Sequence, residues 1–347
     1  MECRHEGHAE IGDPIKPIID VIDAADSAQA SDTRALASVF AEAGQADLGD
    51  YASPFSADEL ATMAGPRQDS DSVTFLARLP VTAEVAGACR VRLPALDNTR
   101  VALVELAVVP RHRRAGVGSN LLAQAEHLAR QRARTTVLAE TSWLAGHEDT
   151  HGLEFARSRG YEPAQTVEQN EQDLRHLGWA ELTPPAGYAI EVAVGALPEA
   201  WLDDRAVLQV RMSTDAPMDD VDMGAEVWDA DRMRAEVARS IDMGRTRIEA
   251  VARHTATGTL VGFTYVSISA ATPRLAYQED TLVVADHRGQ GLGAALKDRV
   301  ARTVRAVAPQ VDTVRTWNAV GNAPMITVNR ALGYRTVAYQ REWQKRL

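Results

Sequence analysis

Cysteine is nearly absent from this sequence: among 347 residues there are two, Cys3 and Cys89. They stand far apart and form no metal-ligand spacing, which argues against a disulfide framework or a cysteine zinc module and for a reducing compartment. Cys89 is expected as a small buried hydrophobe. Cys3, His5 and His8 fall in a polar, glycine-containing stretch, so residues 1–14 read as a frayed tail and no metal site is expected. Long apolar runs are missing too. No segment approaches the roughly 18 to 20 apolar residues that cross a bilayer, and no apolar segment follows the initial methionine as in a signal peptide. The expected location is the cytoplasm, without a membrane partner. Positive charge is in deficit: 37 Lys and Arg against 48 Asp and Glu give a formal net charge of −11, which offers no support to a nucleic-acid partner. No glycine loop is followed by Lys-Ser or Lys-Thr, which excludes a P-loop nucleotide site.

What is present is a glycine loop, twice. Thr281-Leu-Val-Val-Ala-Asp-His-Arg-Gly-Gln-Gly-Leu-Gly293 is a β-branched run that breaks into Arg288-Gly289-Gln290-Gly291-Leu292-Gly293 and opens a helix. Glycines there permit positive φ and close backbone approach, and the free N–H groups of a first helical turn favour an anion, with a pyrophosphate as the natural guest. Arg288 adds a cation. Leu292, Leu296, Val300 and Val304 make one apolar stripe that anchors the helix on a sheet. Residues 104 to 128 repeat the pattern, with Arg113-Arg114-Ala115-Gly116-Val117-Gly118 as the loop and Val117, Leu121, Ala125 and Leu128 as the stripe. The offset is 175 residues at the loop arginines and 173 at Gly160/Gly333, which marks an internal duplication.

A strand ending in Arg-x-x-Gly-x-Gly and running into a helix resembles the acetyl-CoA loop of the GNAT N-acyltransferases, here in tandem and of the actinobacterial type. It differs from kinase and Rossmann loops, which space their glycines as Gly-x-Gly-x-x-Gly and lack the arginine. The resemblance implies an α/β fold of two GNAT-like domains, each a mixed, mostly antiparallel twisted sheet with helices on both faces. It implies acetyl-CoA, or another acyl-CoA, as donor and a small-molecule amine as acceptor. It assigns donor binding to Leu282, Val283, Val284, the loop 288–293, Asn318, Asn322 and Met325, and in the first copy to Val108, Val109 and the loop 113–118. Oxyanion stabilisation by a backbone N–H near Val283 or Val284 is also implied.

Along the chain, Ile15 to Ile22 reads as a first strand, and Ser56-Ala-Asp-Glu59 as a capping box opening a helix. Three strands between residues 72 and 109 form a meander, and a right-handed crossover lays the strand 135–140 parallel to the one before the loop. The expected domains are 15–171 and 188–347, joined by a linker at 172–187 that contains Pro184-Pro185. The second copy keeps Asn318, Asn322 and Asn329, which the first lacks, and is expected to be catalytic. Asn322 reads equally as a helix cap and Asn329 as a solvent-facing residue. For the first cleft three readings stand open: a CoA site, a vestige, or a wall of the acceptor site.

The family's general-acid tyrosine would fall four residues before the Gly-Tyr glycine, where this sequence has Asn329 and, in the first copy, Ala156. For the base, Asp280 and Glu105 each lie eight residues before a loop arginine. Glu279 is adjacent to Asp280, and on a regular strand only one of the two faces the cleft. A strand carboxylate with no role is an equal reading. The acidic run Asp215 to Asp222 reads as a solvated loop or as an attraction for a polycationic acceptor. A CoA-binding protein without catalysis is the rival function, and an acceptor amine on a protein is a further alternative. Oligomeric state is not fixed by the sequence.

Overall fold

The computed structural model describes residues 16–148 and 151–347. The tail reading, with Cys3, His5 and His8, lies outside the described residues. The first half runs β1 (Ile18–Ile22), α1 (Ala30–Leu48), α2 (Ala57–Ala64), β2 (Ser70–Arg78), β3 (Val85–Pro94), β4 (Val101–Val108), α3 (Val117–Gln131), β5 (Thr136–Leu144), α4 (His151–Ser158) and β6 (Glu162–Asp173). The second repeats this order. Its elements are β7 (Tyr188–Val194), α5 (Leu202–Asp215), α6 (Ala230–Asp242), β8 (Arg245–His254), β9 (Leu260–Ser269), β10 (Leu275–Val283), α7 (Leu292–Val307), β11 (Thr313–Ala319), α8 (Ala323–Ala331) and β12 (Arg335–Arg346).

Local sequence accounts for the elements. The capping box at α2 is formed: Glu59 N donates to Ser56 Oγ at 3.2 Å, and Ser56 N donates back to the Glu59 carboxylate at 2.9 Å. Asn322 caps α8 by accepting from Met325 N at 3.3 Å, and Pro324 occupies its first turn. Alternation along each strand sends side chains to two faces. Cys89, Val91 and Leu93 pack beneath α3, while Ala88 and Leu76 pack beneath α1 and α2. In the second half α7 covers one face and α5 with α6 the other.

In each half a meander leads to a strand paired in parallel, β4 with β5 and β10 with β11. The parallel register ends early. Val101 to Val104 pair with Thr136 to Ala139, Leu275 to Tyr277 pair with Thr313 to Arg315, and the strands then diverge. At this point the halves exchange strands. The sheet order is β1-β2-β3-β4-β5-β12-β6-β11-β10-β9-β8-β7, so β12 pairs with β5 while β6 pairs with β11. The two sheets of the duplication are thereby one continuous sheet of twelve strands.

Two connecting segments are docked as well. Leu177, Trp179 and Leu182 of the expected linker pack on the second-half core, and Trp179 Nε1 donates to Asp298 at 2.6 Å. The acidic run is tied down at its two ends. Asp222 accepts from Arg100 at 2.6 Å and from Thr136 at 2.7 Å, and Asp215 accepts from Arg288 at 2.7 Å. These partners correct the solvated-loop reading at Asp215 and Asp222, while Asp219 and Asp220 between them are exposed.

Candidate active site

Where β10 leaves β11, a β-bulge interrupts the β10–β9 register between Gln278 and Thr281. The extra residue turns both Glu279 and Asp280 toward one cavity of about 240 Å³, which corrects the expectation that only one of them faces the cleft. Met212, Lys297, Trp317, Asn318, Asn322 and Met325 complete its wall. Glu279 accepts from Ser267 Oγ at 2.7 Å, and Asp280 accepts from Gln209 Nε2 at 2.8 Å. Burial raises the Glu279 carboxyl above the ordinary carboxylate range; the Ser267 hydrogen bond works against that rise and the Asp280 charge adds to it.

Above the cavity lies the glycine loop. Gly289 and Gly291 have φ of 76° and 81°, and a Cβ on either, or on Gly293, would meet no atom within 4 Å. The space over the loop is open. The side chain of Arg288 is engaged elsewhere, donating through Nε to the Val283 carbonyl at 2.7 Å and pairing with Asp215. It pins the loop to β10 and α5, so the cation expected beside the loop is already engaged with Asp215. Gln290 donates to the Tyr188 hydroxyl at 3.1 Å, and Leu292 is buried.

Val284 N donates to the Val261 carbonyl at 3.0 Å, which removes it as an oxyanion donor. Because N–H directions alternate along an antiparallel ladder, the Val283 N–H points to the side from which β11 has departed. Leu282 is buried beneath. Asn329 is 2 % exposed and donates through Nδ2 to Asn318 Oδ1 at 2.6 Å, so it braces the cavity wall from within and does not face solvent.

The first half has the same skeleton with a different filling. Arg113 donates to the Val108 carbonyl and pairs with Asp47 at 2.6 Å, as Arg288 does with its own partners. Arg114, at φ 64°, takes the left-handed place of Gly289, with Gly116 at φ 88° after it. Val109 and Val117 are buried, and Ala115 lies in the turn between. Over Gly118, however, a Cβ would stand 3.3 Å from Val108 and 3.6 Å from the Phe155 ring. Side chains cover that glycine. Glu105 is paired with Arg90 at 2.8 Å, so the carboxylate equivalent to Asp280 serves an ion pair.

The comparisons match this arrangement. A sequence model of the Acetyltransferase (GNAT) family matches residues 41–161. Over its whole length the chain is similar to the structure of a tandem GNAT protein from the clavulanic acid biosynthesis pathway, with a TM-score of 0.79, 27% identity, and 95% of this chain and 98% of that one covered. The chain carries a GNAT domain match in its first half and, over both halves, has the fold of a tandem GNAT protein. A GCN5-related N-acetyltransferase from Sphaerobacter thermophilus has the same GNAT architecture, with a TM-score of 0.67, 19% identity, and 94% and 95% of the two chains covered. No curated protein matches in sequence. The enzyme class is that of the N-acetyltransferases. None of the helices among the described residues is long and apolar enough to cross a membrane. Sequence reasoning missed Lys297, Gln209 and Phe155 as site residues. A signal for Lys297 existed: it falls four residues after Gly293, on the same helical face.

Proposed function

We propose that this protein transfers an acetyl group from acetyl-CoA to a primary amine of a small molecule, with the chemistry in its second half. The contrast between the two clefts carries this reading: the space over Gly293 is open, whereas Phe155 and Val108 cover Gly118. Residues 283–284 and 288–293 would hold the pyrophosphate and upper arm of the donor, and Asn318, Asn322 and Met325 its pantetheine end. Acetyl-CoA supplies a thioester-activated acetyl group. Glu279, with its carboxyl raised by burial, takes the proton that the attacking nitrogen sheds. Asp280, fixed by Gln209, orients the incoming ammonium. The Val283 N–H faces the carbonyl oxygen as negative charge develops there.

Two adjacent carboxylates of β10 suit a cationic amine, and the origin of the similar clavulanic-pathway protein supports a small-molecule acceptor. The family match over residues 41–161 favours a second reading, in which the first half binds the donor. Calorimetry with acetyl-CoA separates the two. Gly291→Glu puts a bulky negative charge in the second loop and is expected to abolish binding and thiol release over a panel of amines; Gly116→Glu leaves both. The reverse pattern would move the chemistry to the first half.

A further inference from the structure

We propose that Lys297 is the general acid of this site, delivering its ammonium proton to the sulfur as CoA departs; the proposal rests on the reading of the second cleft as the acyl-transfer site. Lysine is scarce in this chain, with Lys16, Lys297 and Lys345 against 34 arginines. Two of the three make ordinary sense: Lys345 pairs with Glu126 at 2.8 Å and Lys16 lies exposed before the first strand. Lys297 is 3 % exposed, lines the cavity beside Asn318, Asn322 and Met325, and has its Nζ 5.1 Å from the centre of the Tyr334 ring.

An unpaired buried ammonium is costly, and an apolar residue would fill the same place more favourably. The duplication shows that alternative. The residue equivalent to Lys297 in the first copy is Leu122, packed in the core under α3. The groups around Lys297 leave it without a fixed counter-charge. Glu279 and Asp280 of β10 line the same cavity but are engaged with Ser267 and Gln209. On its own helix, Asp298 is taken by Trp179, Leu182 and Arg302. Arg315 of β11 is bound to Glu171, and α8 and α5 present the uncharged Asn322, Met325 and Met212.

Burial pushes the Lys297 ammonium down to about 7. Such a group is protonated in substantial part at neutral pH, and its proton passes downhill to a thiolate whose ordinary pKa is about 8.5. The place where the family resemblance puts a tyrosine holds Asn329, an amide that has no proton to give and is engaged with Asn318. In the step, the amine nitrogen bonds to the acyl carbon. The carbon–sulfur bond breaks with its electron pair on sulfur, and the Nζ proton moves to that sulfur, leaving Lys297 neutral. The ammonium proton that the incoming nitrogen sheds before attack rests on Glu279, the second proton it loses as the amide forms passes to solvent, and exchange with solvent restores both Glu279 and Lys297.

With three lysines, the full chain labelled at lysine Nζ gives a spectrum simple enough to titrate directly by NMR. Lys297 is assigned by its loss in Lys297→Arg, or by elimination through Lys16→Arg and Lys345→Arg should that variant not fold. The expected result is one lysine with a midpoint near 7, displaced by bound CoA but little by bound desulfo-CoA, which lacks the sulfur. Lys297→Met should also slow acetyl transfer by roughly 10²-fold or more. It should remove the fall in rate as pH rises through the Lys297 midpoint. A midpoint in the ordinary lysine range, or the same response to CoA and desulfo-CoA, would overturn the assignment of Lys297. Failure of the parent to bind either compound would overturn the reading of the cleft itself, and the general acid with it.

Discussion

Arg288 and Asp215 are held 2.7 Å apart, and the same arginine donates to the Val283 carbonyl at 2.7 Å, so one guanidinium ties the end of α5 to the end of β10. Arg113, Asp47 and Val108 repeat the triangle. The signature arginine of the loop therefore acts as a pin in both halves. Arg288→Gln is expected to cost about 1 kcal/mol of stability, since the pair is half exposed. It should weaken acetyl-CoA binding through loop disorder, so the loss should be nearly independent of salt. Calorimetry at low and high ionic strength checks this; a steep salt dependence would mean that the arginine meets the phosphates directly.

Phe155 is the obstacle in the first cleft. Phe155→Ala is expected to expose the space above Gly118 and to add a second, weaker acetyl-CoA binding event to the isotherm. Its stability cost is expected at about 1 to 3 kcal/mol, below that of a fully buried ring. An unchanged isotherm in a folded variant would show that the first cleft lacks more than room.

Glu279 and Asp280 can be separated by their pH behaviour. Because burial raises the Glu279 carboxyl, the parent rate is expected to fall on the acid side as that group takes up a proton. Glu279→Gln should be slow near neutrality and recover at alkaline pH, where the amine deprotonates by itself. Asp280→Asn is expected to raise KM more than it lowers kcat. Steady-state profiles across pH decide, and interchange of the two behaviours would return the base to Asp280.

Lys297 also makes a prediction about stability. Its ammonium is lowered to about 7 in the folded protein from an ordinary 10.5, so between these values the unfolded chain binds more protons and stability rises with pH. Below about 7 both states are charged and the full burial cost is present. Lys297→Met is therefore expected to be more stable than the parent by an amount on the order of a few kcal/mol at mildly acidic pH, a gain that fades as pH approaches that of an ordinary lysine. Urea unfolding at several pH values measures it.

The parts that were legible in the sequence are those governed by near neighbours. The glycine loops, the stripe on α7, the α2 capping box and the parallel strand after each crossover all follow from residues a few positions apart. Partners far along the chain were not legible. Asp215 and Arg288 are 73 residues apart, so the sequence showed Arg288 as a cation beside the loop without showing its partner. The bulge at Glu279 leaves no periodic mark. In β6 the run Gln165, Glu168, Gln169, Asn170, Glu171 and Gln172 is buried, yet its polarity suggests a domain end. Its burial is explained by partners that only the tertiary fold supplies: Gln172 donates to the Leu332 carbonyl at 2.7 Å and Gln169 to that of Tyr51 at 3.0 Å.

The strand exchange has a temporal side. Trp343 donates to Thr141 across 202 residues, and Lys345 reaches Glu126 across 219. On a ribosome the first half emerges with β5 unpaired along one edge, and its partner β12 is made only after the other elements of the second half. Loops of this length close slowly, and an open edge invites pairing with other nascent chains. Synthesis of the second half is thus the interval during which this protein is most exposed to aggregation, and its rate of refolding should be set by the arrival of β12, not by assembly of either glycine loop.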